Sequence, residues 1–180
     1  MREIEGIEQA LEVLRPHMAD IDEHFEAEND KFKALIAREH DDLGRILKCH
    51  LIIEHYMNQF LTSHYSINEF DQVRLTFSQK SKLLPSEANA VAFVKPGIQR
   101  LNSIRNKFGH RLDANIEDYD LGAINEILYA IRPEAEFNNL VEKIEAFTTI
   151  ACTWLIIPPK ELQDIFIQAF RDIRAYDNDL

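Results

Sequence analysis

The sequence contains few of the residues from which disulfide frameworks and flexible linkers are built. Its 180 residues include two cysteines, five glycines and six prolines. Cys49 and Cys152 each lie alone in an apolar run, so neither a disulfide framework nor a cysteine-based zinc site is expected. We expect buried, reduced thiols in a cytoplasmic protein, and one folded domain with little linker.

Long apolar runs are also missing. No stretch of about 20 residues is apolar enough to cross a bilayer, and the acidic, amphipathic start MREIEGIEQALEVL does not have the pattern of a secretory signal. The uncharged run AFTTIACTWLII, residues 146–157, is too short for a membrane span. This run therefore predicts a core helix or an oligomer contact, and no membrane association is expected.

Several common catalytic motifs are absent. The chain has no phosphate-binding glycine loop, no HExxH, no calcium loop of the EF-hand type and no GxSxG. His50 and Glu54 lie four residues apart and have the spacing of a chelating pair, but on a mostly apolar helix such residues more often make core or capping hydrogen bonds. We expect neither a metal nor a cofactor.

Helical periodicity dominates what remains, and no stretch alternates at period two. Capping, proline and apolar signals predict helices over 7–14, 17–38, 42–64, a short stretch after Thr76–Gln79, 86–94, a helix opening at Pro96, 118–131, 134–157 and 159–175. The predicted fold class is all-α, a compact bundle of about six to eight helices. The single domain 1–180 would comprise N-terminal helices (1–40), a core (42–131) and C-terminal helices (134–176).

The charges are unevenly distributed along the chain. The net charge of −11 by itself argues against nucleic-acid binding, but the local charge of one segment has the opposite sign. From Gln72 to Arg111 the chain has eight Lys or Arg and one acid, Glu87, so this segment carries +7 and the other 140 residues carry −18. We call residues 72–111 the basic segment. It is either a solvated face that arose by chance or a local site for a polyanion.

The stretch LNSIRNKFGHRLD lies within the basic segment and places Arg105, Asn106 and His110 near the end of a predicted helix. Cleavage of RNA by its own 2′-hydroxyl needs a proton acceptor, a proton donor and a cation beside the phosphorane. Histidine titrates near neutrality and arginine holds charge in a fork that fits phosphate, and neither requires a metal. One chain supplies one such histidine, whereas two chains across a two-fold axis would supply both acid and base.

The heptapeptide IRNKFGH resembles the R-x4-H motif of the HEPN superfamily, in which a polar residue often follows the arginine. The long helix with an internal acid (HLIIEHYMNQFL, containing Glu54) and the short lysine-bearing helix (LTFSQKSKLL) are also similar to HEPN proteins, over about residues 42–131. The nearest similarity is to compact bacterial members with an RN-x-x-A-H helix. Gly109 replaces the usual small alanine, which makes the helix end less rigid.

The resemblance implies a helical bundle that dimerises and, in many members, a metal-independent endoribonuclease acting as a toxin or phage-defence effector. It implies that His110 does acid/base work, Arg105 stabilises phosphate charge, Asn106 orients phosphate or histidine, and Glu54 orients Arg105. RNA-binding candidates from the basic segment are Arg100, Lys80, Lys82, Lys107 and Arg111. Any antitoxin or regulatory protein would be a separate chain.

Other interpretations remain open at this point. Arg105 could pair with Glu54 and simply hold two helices together, and His110 could be a helix-terminal residue favoured by the dipole. Other HEPN members have lost activity and serve as binding modules for a protein or nucleotide. A third possibility is an acidic scaffold that assembles through its C-terminal helix. The uncharged run 146–157 and the stripe Leu162–Ile173 hold more apolar surface than a small bundle needs, which favours a homodimer.

Overall fold

The computed structural model describes residues 4–36, 42–67, 70, 73–109 and 120–176. In that part of the chain eight α-helices account for most of the structure, and the all-α prediction is confirmed. The helices are α1 (Ile7–Leu14), α2 (Met18–Ile36), α3 (Asp42–His64), α4 (Phe77–Leu83), α5 (Ala90–Gly109), α6 (Ala123–Ile131), α7 (Leu140–Leu155) and α8 (Lys160–Ala169).

Helices α3 and α7 pack against each other along the centre of the bundle, and α5 packs against both. Their shared interior is apolar: Ile53, Met57 and Leu61 of α3 and Phe147 of α7 are fully buried. Helices α2 and α6 also pack against α7, and α1 packs against α8. A single hydrophobic cluster extends from Ile4 to Ile173, so the terminal helices share one core with the central ones.

Gly97 allows α5 to approach α7 closely. A Cβ atom at this position would lie 2.6 Å from Phe147 Cζ, closer still to Cε2 of the same ring, and 2.9 Å from Ile127 Cδ1. Real Cβ atoms do not approach carbon so closely, so any larger residue would push the ring or the helices apart. Gly97 therefore sets the distance between α5 and its two neighbours.

One predicted cap is confirmed, and a second cap was not predicted. Thr76 and Gln79 form a capping box, in which Gln79 N donates to Thr76 Oγ1 (3.2 Å) and Thr76 N donates to Gln79 Oε1 (2.8 Å). Asn139 caps α7, because its Oδ1 accepts a hydrogen bond from Glu142 N (2.9 Å). This cap explains why α7 begins at Leu140 and not at the predicted residue 134.

The prediction of two helices over 86–94 and from Pro96 onward is wrong, because α5 is continuous and contains Pro96. Proline has no N–H to donate to the carbonyl four residues earlier, which costs roughly 3 kcal/mol in a helix interior. The surrounding turns are fully buried, with Val91, Val94 and Ile98 at 0–1% exposure. Burial of this apolar face offsets the loss of one hydrogen bond, so the helix continues.

The C-terminal helix is shorter than predicted and is followed by a strand. After α8 the chain forms β2 (Arg174–Ala175), which pairs antiparallel with β1 (Ile4–Glu5) in a two-stranded sheet. Each strand has two residues, too few for an alternating pattern to be recognised in the sequence. The sheet joins the two ends of the described chain.

The apolar stripes that favoured a homodimer lie mainly inside one chain. Phe147, Ile150 and Leu155 of the uncharged run and Phe166 and Phe170 of the C-terminal stripe are all buried in the core. The apolar surface on which the dimer prediction was based is therefore mostly buried within one chain, and the homodimer stays a prediction. No helix in the described ranges is long and apolar enough to span a membrane.

Candidate functional site

The described part of α5 ends at Gly109 and presents Arg105 to solvent. Ile98, Leu101 and Ile104 are buried, as their spacing predicts, so the neighbouring Arg105 points outward and is exposed. Its Nη1 donates a hydrogen bond to Oδ1 of the half-buried Asn106 (3.0 Å). Arg105 and Asn106 therefore form a contiguous polar surface beside the end of the helix.

His110 and Arg111 lie outside the described residues, as does the side chain of Phe108. The distance between the arginine and the histidine of the motif is therefore not part of the described geometry. The catalytic role of His110 and the RNA contact of Arg111 stay predictions.

Glu54 pairs with Lys80, in place of the expected partner Arg105. Lys80 Nζ donates to Glu54 Oε1 at 2.7 Å, and the two side chains are 9% and 26% exposed. Burial raises the cost of leaving either charge unpaired, so this ion pair ties α3 to α4. The predicted role of Glu54 in orienting Arg105 is wrong in this structure. Lys80, predicted to bind RNA, is buried and already neutralised.

For His50 the sequence left two alternatives, a metal ligand or a residue with core hydrogen bonds, and the structure shows a buried, hydrogen-bonded side chain. Its Nε2 lies 3.2 Å from Asn102 Oδ1, and its ring stacks on Phe77 with centroids 3.8 Å apart. Burial lowers the pKa of His50 below its usual value of 6.5, the Asn102 contact raises it, and the nearby Arg105 charge lowers it further. The neutral imidazole is thus favoured. Asn102 contacts His50 and Lys80 pairs with Glu54, so both residues of the suggested chelating pair already have protein partners.

His50 could have been recognised from its spacing, because it lies one helical turn before Glu54 on α3. Together, the Glu54–Lys80 pair and the His50–Asn102 contact join α3 to α4 and α5. The sequence did not indicate which partners these side chains would choose, since the choice depends on the packing of three helices.

The basic segment is less exposed than its sequence suggests. Lys95 is buried, and its Nζ donates to Leu84 O (2.7 Å) and Ser86 Oγ (2.8 Å), which anchors the chain after α4. Arg100 Nε donates to Asp120 O (2.9 Å), and its guanidinium also pairs with the Asp120 carboxylate (3.7 Å). These two cations and Lys80 therefore have internal partners.

Four cations of the basic segment keep exposed side chains among the described residues: Arg74, Lys82, Arg105 and Lys107. Lys82 and Lys107 thus remain compatible with their predicted RNA-binding role, whereas Arg100 would have to give up its contact with Asp120. Chemically, Arg105 and Asn106 together offer an arginine fork and an amide, which suit a phosphate group.

Comparisons with known proteins add no assignment. No family model matches the sequence, and neither a curated protein nor a solved structure matches the chain.

Proposed function

We propose that this protein is a HEPN-like, metal-independent endoribonuclease that cleaves RNA through attack of the 2′-hydroxyl. In this proposal His110 does the acid/base work at the 2′-hydroxyl and the 5′-oxygen, and Arg105 stabilises the charge on the phosphorane. Asn106 holds the guanidinium, in line with its hydrogen bond to Arg105 Nη1. Lys82, Lys107 and Arg111 attract the RNA, and no metal or other cofactor takes part.

The observation that carries the proposal is that Arg105 is exposed and has no carboxylate partner among the described residues. The competing interpretation was that this residue forms an internal ion pair with Glu54, but that carboxylate pairs with Lys80. Among the described residues, the side-chain partner of Arg105 is the neutral amide of Asn106, and the arginine is exposed. An arginine whose charge is not neutralised by a carboxylate is available to a phosphate.

The direct test is cleavage of a short single-stranded RNA in EDTA. We expect the wild-type protein to cleave, and we expect Arg105→Ala and His110→Ala to abolish cleavage with smaller effects on binding, because both act mainly on the transition state. Arg74→Ala is the matched control, since Arg74 is an exposed arginine of the same segment outside the motif. Cleavage that requires added metal, or that survives both motif substitutions, would contradict the mechanism.

Binding of the same RNA tests the electrostatic part of the proposal. The contact should be local and weak, because residues outside the basic segment carry −18. Each neutralised phosphate contributes a slope of about −0.7 in log K against log salt for single strands. Lys107→Ala and Arg111→Ala should each reduce that slope by roughly one unit if they contact phosphates. Fluorescence anisotropy at several salt concentrations measures this slope.

A biological role as a toxin or phage-defence effector, controlled by a separate antitoxin chain, belongs to the same proposal. So does a homodimer, which would bring two copies of His110 together to act as acid and base. Expression of the wild type should arrest growth and degrade cellular RNA, whereas His110→Ala should do neither. Light scattering that gives a 21 kDa monomer at micromolar concentration would remove the two-histidine mechanism.

A second candidate function is a catalytically silent HEPN-like module that binds a protein or nucleotide. The internal partners of Lys80, Lys95 and Arg100 favour it, because they reduce the positive charge available to RNA. Absence of RNA binding even at low salt, with a folded protein, would support this candidate over the ribonuclease.

A further inference from the structure

A cavity of about 350 Å³ lies between the C-terminal ends of α3 and α7, the start of α5, and α8. Its aromatic walls include Phe60 of α3, Trp154 of α7 and Phe166 of α8. Ile157 and Ile167 also line it and are 38% and 64% exposed, so apolar side chains reach the solvent at its rim. The volume falls within the range of about 300–1,000 Å³ that is typical of small-molecule sites.

The lining of this cavity has no Asp, Glu, Lys or Arg among its fourteen residues. At the 28% charged content of the chain, fourteen residues would include about four charged ones. His64 is the one titratable side chain, and its ring stacks on Phe60 with centroids 5.1 Å apart. A charge-free cavity disfavours phosphates and carboxylates, because neither would find a counter-charge there.

Two amides give the cavity a defined hydrogen-bonding pattern. Asn89 Oδ1 accepts from Val91 N (2.9 Å), which leaves its Nδ2 as a donor. Gln163 Nε2 donates to Pro158 O (3.1 Å), which leaves its Oε1 as an acceptor. Within the described ranges no protein partner occupies either of these remaining atoms, and both residues line the cavity. The site thus combines a donor and an acceptor with aromatic walls.

We propose that this cavity binds a small, neutral aromatic amide or heterocycle that carries a hydrogen-bond donor and an acceptor on its edge. The ring would lie against the walls formed by Phe60, Trp154 and Phe166. Its acceptor would take the Asn89 amide hydrogen, and its donor would reach Gln163 Oε1. This site is separate from Arg105, so the proposal does not depend on ribonuclease activity.

Nicotinamide and nicotinate form a matched pair of probes, because they share a ring and differ in the charge of the substituent. Trp154 is the only tryptophan of the chain, so its fluorescence reports on the cavity. We expect saturable binding of nicotinamide at millimolar concentration and at least roughly tenfold weaker binding of nicotinate. Saturation-transfer NMR with the full-length protein detects the bound ring independently of fluorescence.

Three variants locate the ligand. Ser63 is exposed and lines the cavity, so Ser63→Phe should block it and weaken nicotinamide binding by roughly tenfold or more. Gln163→Leu removes the acceptor and should weaken the binding of nicotinamide about tenfold. Toluene, an aromatic ring without a hydrogen-bonding group, serves as a second probe, and its binding should not change. Trp154 also borders a smaller cavity of about 210 Å³ that is lined in part by Met18, so Met18→Phe is the matched control and should leave nicotinamide binding intact.

Circular dichroism and thermal unfolding establish that each variant is folded before binding is compared. Equal affinities for nicotinamide and nicotinate would overturn the proposal, as would nicotinamide binding that neither Ser63→Phe nor Gln163→Leu weakens. No saturable binding of nicotinamide up to about 10 mM, a concentration at which weak millimolar ligands saturate, would overturn it as well.

Discussion

Replacement of Gly97 by alanine tests the packing that positions the motif helix. The new Cβ would lie 2.6 Å from Phe147 Cζ and 2.9 Å from Ile127 Cδ1, whereas ordinary contacts are 3.4–4 Å. Phe147 and Ile127 are both fully buried, so neither side chain has solvent to move into. Either the ring must leave its position or α5 must separate from α7 and α6.

Two effects of the substitution oppose each other. Alanine is a better helix former than glycine by about 1 kcal/mol. Insertion of a methyl group into a filled core costs typically 1–3 kcal/mol, and overlap with a buried ring together with a second side chain places Gly97 at the upper end of that range. We therefore expect a net loss of about 2 kcal/mol in the free energy of unfolding. For a domain of this size the loss corresponds to a fall of roughly 4–8 °C in Tm.

Thermal unfolding followed by circular dichroism measures this change. Ser103→Ala is the matched control, because Ser103 is a half-buried residue of the same helix, and it should change stability by no more than about 0.5 kcal/mol. Phe147→Leu removes ring atoms, so it should cost less stability in the Gly97→Ala background than in the wild type. A Tm of Gly97→Ala equal to or above that of the wild type would show that the close approach of α5 and α7 is wrong.

Three further predictions follow from buried polar groups. Lys80→Ala should lower the free energy of unfolding by roughly 1–3 kcal/mol, because it leaves Glu54 half-buried without its partner; Lys82→Ala, an exposed neighbour, should have little effect in the same denaturant titration. The lowered pKa of His50 means that the unfolded state binds more protons below about pH 6.5, so stability falls as the pH drops below that value. His50→Gln should make the urea midpoint less dependent on pH in that window, and an unchanged dependence would contradict the assignment. Burial raises the pKa of Cys49 to about 11 and that of Cys152 well above its usual value, so both thiols should resist a thiol-reactive dye until the protein unfolds, and rapid labelling of the native protein would refute their burial.

Local signals in the sequence were sufficient for much of the fold. The starts of α1 and α3 follow from apolar periodicity, and the start of α4 follows from a capping residue whose partner is three residues away. Pro96 shows the limit of such signals, because the cost of a missing N–H is local but its compensation comes from residues of other helices. The pairing of β1 with β2 joins opposite ends of the chain, and no short-range pattern encodes it.

The candidate site was predictable only in part. The spacing of Ile98, Leu101 and Ile104 was enough to identify the buried side of α5, but it left open whether Arg105 is exposed or paired with Glu54. The partner of Glu54 was not predictable, because both Lys80 and Arg105 are cations on neighbouring helices and only the packing selects between them. Charge counting along the sequence likewise treats buried and exposed lysines alike, so it overestimated the positive surface of the basic segment.

The most direct measurement of the central claim is the chemistry of the RNA ends produced by the purified protein in EDTA. The general base takes the proton of the 2′-hydroxyl as its oxygen forms a bond to phosphorus. The bond from phosphorus to the 5′-oxygen breaks, and the 5′-oxygen takes a proton from the general acid. We expect fragments with 2′,3′-cyclic phosphate and 5′-hydroxyl ends, no cleavage of a substrate with 2′-deoxyribose at the cut site, and no products from Arg105→Ala or His110→Ala. Cleavage of the 2′-deoxy substrate, or products with 5′-phosphate ends, would contradict the central claim.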